Sequence, residues 1–200
     1  MEDEIIVPGV KIADKPLRLS YGHIENENTY STVLGLKRED KIIPLKGPYE
    51  PKFGDYILGV ISDVKFSGYD VDLGLPYPVF LSDRMVREKL DYGEVIFAKV
   101  MNVNEIGELD LGQVKVLKKG MILVAPAVKI PRVIGRDNSM ITLIRDSTDC
   151  SIFVGKNGFI WISEKGNSAL AISAIRKIVR EAHISGLTDK MQEYFKNNSN

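Results

Sequence analysis

Four residues in the last third of the chain, Gly135-Arg136-Asp137-Asn138, have the makings of an anion-binding turn. Glycine lets a backbone approach a phosphate closely, and a helix starting after such a turn offers N–H groups that lack intrahelical partners. The residues of this stretch able to hold a phosphate are Arg132, Gly135, Arg136, Asn138 and Ser139. Asp137 works against them. An anion about 4 Å from a phosphate costs about 1 kcal/mol in water and up to about 4 at a surface-like dielectric. Asn138 tolerates the left-handed conformation that a second glycine would supply. Two readings stay open for the turn, a phosphate clamp and a plain helix–helix connection.

A second group combines aromatic rings with cations: Phe66, Tyr69, Tyr77 and Phe80, with Lys65, Arg84 and Arg87 close in sequence. Rings exposed beside cations can stack unpaired bases, at about 1–3 kcal/mol per base, while the cations meet phosphates. Strand-borne aromatics also serve as core, and residues 51–117 carry 7 basic against 11 acidic side chains. A third pair, Asp70 and Asp72, shares one face of a strand. That is the geometry of an acid–base or metal pair, and equally of a strand's wet side. With a single cysteine and two distant histidines, His23 and His183, no metal-ligand set has usable spacing. No P-loop, nucleophile elbow or zinc motif occurs. No catalytic residue, cofactor or metal is predicted, and the chain reads as a non-enzyme.

These residues need elements to position them. Over 1–50, short apolar runs alternate with turn residues: Ile5–Val7 before Pro8-Gly9, then Thr29–Leu36, then Lys41–Leu45. None shows a sustained helical period, so a small β-rich domain is predicted. Gly47-Pro48-Tyr49-Glu50-Pro51 punctuates its end. Residues 51–117 then give five strands: Asp55–Lys65, Tyr69–Leu73, Pro78–Leu81, Glu94–Val103 and Glu108–Val116. Ser82-Asp83 caps a short helix through Leu90, and Asn104–Gly107 links the last two strands. That is the pattern of an OB barrel, a fold that binds oligonucleotides.

Residues 118–187 adopt a different order. Met121–Val128 reads as a strand, Ser139–Thr148 as a helix with Met140, Ile141 and Ile144 inward, and Cys150–Val154 with Phe159–Ser163 as a hairpin around Gly155-Lys156-Asn157-Gly158. Asn167 caps a last helix, Ser168–Ile184, whose Ala171, Ile172, Ile175, Ile178, Val179 and Ala182 form one face, and Gly186 closes it. The order β-α-α-β-β-α matches a type I KH domain. Residues 188–200 read as a flexible tail. The fold class is thus multi-domain β and α+β.

Formal net charge is zero, with 27 basic and 27 acidic side chains, yet it is unevenly spread. Residues 118–185 carry 11 basic and 5 acidic side chains, while 1–117 are net negative. A basic segment on a neutral chain suggests a polyanionic partner, and a solvated helix face is the alternative. The longest uncharged apolar run, Met121–Val128, is too short to span a bilayer, so no membrane partner is predicted. The acidic N-terminus and the lone Cys150 point to the cytoplasm.

Several stretches in fixed order resemble one family over roughly residues 5–185. They are Val7–Gly9, STVLGL (Ser31–Leu36), IPLKGPYEPKFGD (Ile43–Asp55), VDLGLPYPVFLS (Val71–Ser82), IPRVIGRDNSMI (Ile130–Ile141) and IFVGKNGFIWI (Ile152–Ile162). Together they resemble the archaeal exosome RNA-binding cap subunits of the Rrp-four type. The resemblance implies an N-terminal domain that contacts a ring, a ribosomal-S-one-type OB barrel and a KH domain. It further implies three cap copies on a hexameric ring of phosphorolytic ribonuclease subunits, feeding it single-stranded RNA 3′ ends, with no small-molecule substrate. Where that family has Gly-Arg-Lys-Gly, this chain has Gly-Arg-Asp-Asn at 135–138. Gly155, Lys156, Asn157 and Gly158 match the family's GxNG signature, which implies packing against the barrel rather than RNA contact, and Trp161 beside it reads as buried. The alternatives are a NusA-like transcription or translation factor, a polynucleotide phosphorylase fragment and a purely architectural cap. The first would need a second KH module, for which there is no room. The second orders KH before the barrel.

Overall fold

Turn residues between short β-prone runs shape the first of two compact units, Met1–Pro48 and Tyr49–Asn200. The computed structural model describes residues 4–17, 22–38, 41–47, 49–104, 107–182, 184 and 186–198. Pro48, His183 and the middle of the Asn104–Gly107 link lie outside the described residues. The first unit has strands β1 (Glu4–Ile6), β2 (Lys11–Ala13), β3 (Gly22–Glu25), β4 (Asn28–Ser31), β5 (Leu34–Arg38) and β6 (Lys41–Lys46). They form two three-stranded sheets, ordered β1-β5-β6 and β2-β4-β3. Asn26 and Glu27, both at positive φ, make the tight turn between β3 and β4. The run expected as one β-rich stretch over Thr29–Leu36 breaks after Ser31, whose hydroxyl donates to the Val33 carbonyl at 2.8 Å. Ile6, Ile12, Val33 and Ile42 form a small buried cluster.

The second unit opens with β7 (Tyr56–Lys65), β8 (Gly68–Asp72), β9 (Val79–Ser82), β10 (Val95–Val103) and β11 (Leu109–Leu117). They make one antiparallel sheet, ordered β11-β10-β7-β8-β9. Its edge strands β9 and β11 come together, so the sheet curls around a core that includes Ile57, Ile61, Val71, Leu81 and Ile96. Gly59 permits the curl at one point. A Cβ there would lie 2.4 Å from Val71 Cγ1 and 2.7 Å from Leu73 Cδ2. The short helix expected through Leu90 shrinks to a single 3-10 turn, Asp83–Met85, because the chain turns extended at Val86 (φ −116°, ψ 149°).

The remainder adds β12 (Gly120–Val124), α1 (Ile130–Ile134), α2 (Ser139–Thr148), β13 (Ile152–Val154), β14 (Phe159–Ser163), α3 (Ser168–Arg180) and α4 (Leu187–Asn198). The three strands form an antiparallel sheet, ordered β12-β14-β13. The helices pack on it through Ile130, Val133, Ile144, Ile160, Ile175 and neighbours. The strand expected to reach Val128 stops at Val124, since Pro126 has no N–H to continue the ladder. Asn167 does cap α3, accepting from the Leu170 N–H at 3.0 Å. The helix ends at Arg180 rather than Ile184, and Gly186 (φ 67°) stands before α4 rather than closing α3.

One expectation needs correction. Residues 188–198 are helical, not a flexible tail, because Leu187, Met191 and Phe195 recur at i, i+4, i+8 and are buried against the helical core. Leu58, Leu117 and Trp161, from β7, β11 and β14, share a buried cluster that joins the curled sheet to the β12-β14-β13 sheet.

Candidate nucleic-acid interface

The turn between α1 and α2 owes its shape to backbone conformations that few residues adopt. Gly135 sits at φ 77°, Asp137 at φ 50° and Asn138 at φ 63°. Asp and Asn are the non-glycine residues that best tolerate this region. At Gly135 nothing larger fits, since a Cβ would lie 2.6 Å from the Met140 nitrogen. Helix α2 begins without a side-chain cap and without an acid in its first turn. Arg132, Arg136, Asn138 and Ser139 are exposed around this turn. Asp137, 93% exposed, lies 3.7 Å from the Arg136 Nε and offsets its charge.

On the curled sheet the candidate residues separate. Phe66 is fully exposed at the β7–β8 turn, and Phe80 is half exposed on β9. The Asp83 N–H donates to the Ser67 carbonyl at 3.2 Å, which brings the 3-10 turn bearing Arg84 beside the Phe66 turn. Lys65 belongs to the same end, paired with Asp70 at 2.6 Å. Arg84 and Arg87 are exposed, with no ion-pair partner among the described residues. Tyr77 is exposed too, but in the β8–β9 link at the other end of a strand about 16 Å long. Tyr69 is no stacking platform. It is 6% exposed in the core of the sheet, and its hydroxyl accepts from the Leu90 N–H at 3.2 Å. Asp70 is taken up by Lys65, and the Asp72 carboxylate accepts from the Gly74 N–H at 2.8 Å. Among the described residues no group of three or more His, Cys, Asp or Glu could hold a metal.

The Gly155–Gly158 turn lies against the curled sheet. Asn157 donates to the carbonyls of Leu58 (2.7 Å) and Leu73 (2.9 Å) and accepts from the Leu58 N–H (3.1 Å). The Lys156 N–H donates to the Tyr56 carbonyl at 2.9 Å, and its ammonium lies 2.7 Å from Asp55. Asp55 is a buried carboxylate that also accepts from the Tyr49 hydroxyl at 2.9 Å. Burial, and then that hydrogen bond, push the Tyr49 phenol well above its ordinary value. A Cβ on Gly155 would meet the Leu58 nitrogen at 2.6 Å, so the approach requires glycine. Trp161 is buried in the same seam.

A cleft of about 310 Å³ beside this seam is lined in part by residues that sequence reasoning did not single out. Among them are Tyr56 and Phe97 from the curled sheet, Phe153 from β13, and Arg145 from α2. Asn138 and Lys156 border it as well. The only signal was the alternation that put Tyr56 and Phe97 on the same faces of their strands as neighbouring apolar residues.

No protein-family model matches the chain. Curated relatives do. An exosome complex component Rrp4 from Thermococcus kodakarensis is 38% identical over 216 residues, covering 96% of this chain and 84% of the relative. The Rrp4 component of Pyrococcus furiosus is 40% identical over 214 residues, covering 94% and 81%. That of Methanosarcina mazei is 36% identical, covering 98% and 83%. Among solved structures, one described as that of an exosome complex RNA-binding protein superposes with a TM-score of 0.67 at 30% identity. It covers 76% of this chain and 97% of its own.

Proposed function

Because the chain belongs to the Rrp4 family of exosome complex components, we propose that it is a non-catalytic subunit that binds single-stranded RNA and guides 3′ ends into a phosphorolytic ring. The curled sheet is read as an S-one-type OB barrel and the β12–α3 element as a type I KH domain. The first unit is read as the part that meets the hexameric ring, in three copies per ring, in the cytoplasm. The observation that carries RNA binding is the fully exposed Phe66 with Phe80, Lys65 and Arg84 gathered at one end of the sheet. Exposed rings beside cations bind unpaired bases without regard to sequence, as a guide for many transcripts requires.

A second reading, an architectural cap with negligible RNA affinity of its own, is favoured by one observation. Asp137 sits beside Arg136 in the turn where phosphate would bind. Reconstitution with a phosphorolytic ring decides between the two. The chain is expected to co-purify with the ring and to raise its affinity for a single-stranded oligoadenylate tail. Co-purification with unchanged tail affinity would leave the architectural reading standing. Failure to join the ring would remove both.

A further inference from the structure

The sheet of the helical element, ordered β12-β14-β13, has two edges that are finished differently. At the β13 edge the Ile152 carbonyl accepts from the Arg145 guanidinium. Strand β12 has no such cover. It pairs with β14 in one unbroken antiparallel register, from Gly120 opposite Ser163 to Val124 opposite Phe159. Two bonds fix which residues face that ladder: the Ala125 N–H donates to the Gly158 carbonyl at 2.8 Å, and the Glu164 N–H to the Lys119 carbonyl at 3.0 Å. Antiparallel pairing alternates, so Lys119, Met121, Leu123 and Ala125 bond towards β14. Gly120, Ile122 and Val124 then turn their N–H and C=O groups outward. None of these outward groups has a hydrogen-bond partner among the described residues.

Native sheet edges are blunted by charge, proline or a bulge. Strand β12, Gly-Met-Ile-Leu-Val, contains none of these. Its side chains alternate between faces. Leu123 packs into the helical core and Ile122 into the seam with the curled sheet, so Met121 belongs to the first face and Val124 to the second. Met121 is 40% exposed and Val124 67%, which leaves an apolar side chain open on each face of the edge. The flanking sequence selects the charge of an occupant. Residues 111–136 hold six cations and no acid. Lys118 is held by Glu88 and Glu94, and Lys115 lies over the Phe153 ring. Lys119 at one end of β12 and Lys129 beyond the other have no ion-pair partner among the described residues. Glu164, opposite Lys119, is followed by Lys165. A second copy of β12 would bring cations to cations, whereas an acidic strand would offset them.

We propose that β12 is a docking edge for an extended segment of a partner protein, with adjacent apolar residues flanked by acids, which joins the sheet as a fourth strand. Its backbone pairs with Gly120, Ile122 and Val124. One apolar side chain lies beside Met121 and the next beside Val124, on opposite faces, while the acids reach Lys119 and Lys129. Strand addition of this kind draws affinity from main-chain bonds and specificity from alternate side chains. Strand β14 separates this edge from β13, so a docked segment leaves β13 and the cleft beside it open. Docking here does not require that the chain bind RNA.

The test uses the full chain and a fluorescein-labelled peptide, Glu-Glu-Thr-Val-Ile-Thr-Glu-Glu. Its anisotropy is expected to rise as the chain is added. Two controls should stay flat: the peptide with lysine in place of each glutamate, and the peptide N-methylated throughout its Thr-Val-Ile-Thr core, which cannot donate to the edge. Val124→Pro removes an outward N–H and no ladder bond, so the fold is kept, and binding is expected to weaken about tenfold or more. Met121→Lys places a charge on the edge through an exposed side chain and carries the test should Val124→Pro fail to fold. Lys119→Asn suits the φ of 60° there and is expected to weaken binding about threefold. No rise with the acidic peptide, or undiminished binding by Val124→Pro and Met121→Lys, would overturn the edge. Equal binding of the N-methylated peptide, with displacement by a decauridylate, would show a plain anion surface and overturn strand addition. A dimer in sedimentation that Val124→Pro abolishes, without peptide binding, would give the edge to a second copy and overturn the acidic partner.

Discussion

The side-chain amide of Asn157 pairs with both backbone groups of Leu58, donating to its carbonyl at 2.7 Å and accepting from its N–H at 3.1 Å. A single side chain thereby acts as a short piece of neighbouring strand for β7, ninety-nine residues away in sequence. A third bond, to the Leu73 carbonyl, saturates the amide donors. Truncation of Asn157 to alanine would leave three backbone groups without their partner in a buried seam. A cost of about 3 kcal/mol is expected, because each buried unsatisfied group costs about 1–3 and water recovers part of it. Asn157→Asp should cost more, since it replaces two donations with a carboxylate facing two carbonyls. Denaturant titration monitored by Trp161 fluorescence measures both. A change below about 1 kcal/mol for Asn157→Ala would mean that the seam re-pairs with water at little cost.

Asp137 is the residue whose charge most directly opposes phosphate at the α1–α2 turn. Its side chain is 93% exposed, so solvent screening holds the penalty near the lower end, about 1 kcal/mol. Asp137→Asn removes the charge while keeping a residue that tolerates φ near 50°. Binding of a single-stranded decamer by the full chain should tighten up to about fivefold. Asp137→Lys should add a steeper salt dependence, because it supplies a new phosphate contact. If neither variant shifts the titration curve, the turn is a helix–helix connection and nothing more.

The end of the curled sheet bearing Phe66 can be tested separately. Phe66→Ala removes a fully exposed ring with no packing role, so stability should change by less than about 0.5 kcal/mol. RNA affinity should fall by about fivefold or more. Arg84→Ala with Arg87→Ala should weaken binding and lower the slope of log affinity against log salt by about 1 to 2. An unchanged slope would take both arginines off the list of phosphate contacts.

Much of this architecture was legible because short-range rules govern it. The turn at 135–138 was readable since Gly135 and Asn138 are residue types that tolerate the positive φ they adopt there. The place of Tyr69 was implicit in its alternation with Val71 and Leu73, all three on the buried face. What escaped was set by distant partners. The cleft joins Tyr56, Phe97 and Phe153 from three strands on two sheets, and no local spacing unites them. The last helix escaped for another reason. The polar sequence around KNNSN and the preceding Gly186 outweighed the i, i+4, i+8 recurrence of Leu187, Met191 and Phe195.

That recurrence yields a direct test. Met191 and Phe195 are buried among the residues of the helical core, and Tyr194 packs on Phe195 at 5.7 Å between ring centroids. Phe195→Ala should destabilise the second unit by about 3–5 kcal/mol and Met191→Ala by about 2–5. The two sites share one cluster, so the double variant should fall short of the sum. Substitution of Asn197, exposed on the same helix, should leave stability within about 0.5 kcal/mol. Thermal denaturation of the four variants side by side would measure the difference. Equal melting temperatures would show that α4 docks without contributing to the fold, and that 188–198 behave as a tail in solution.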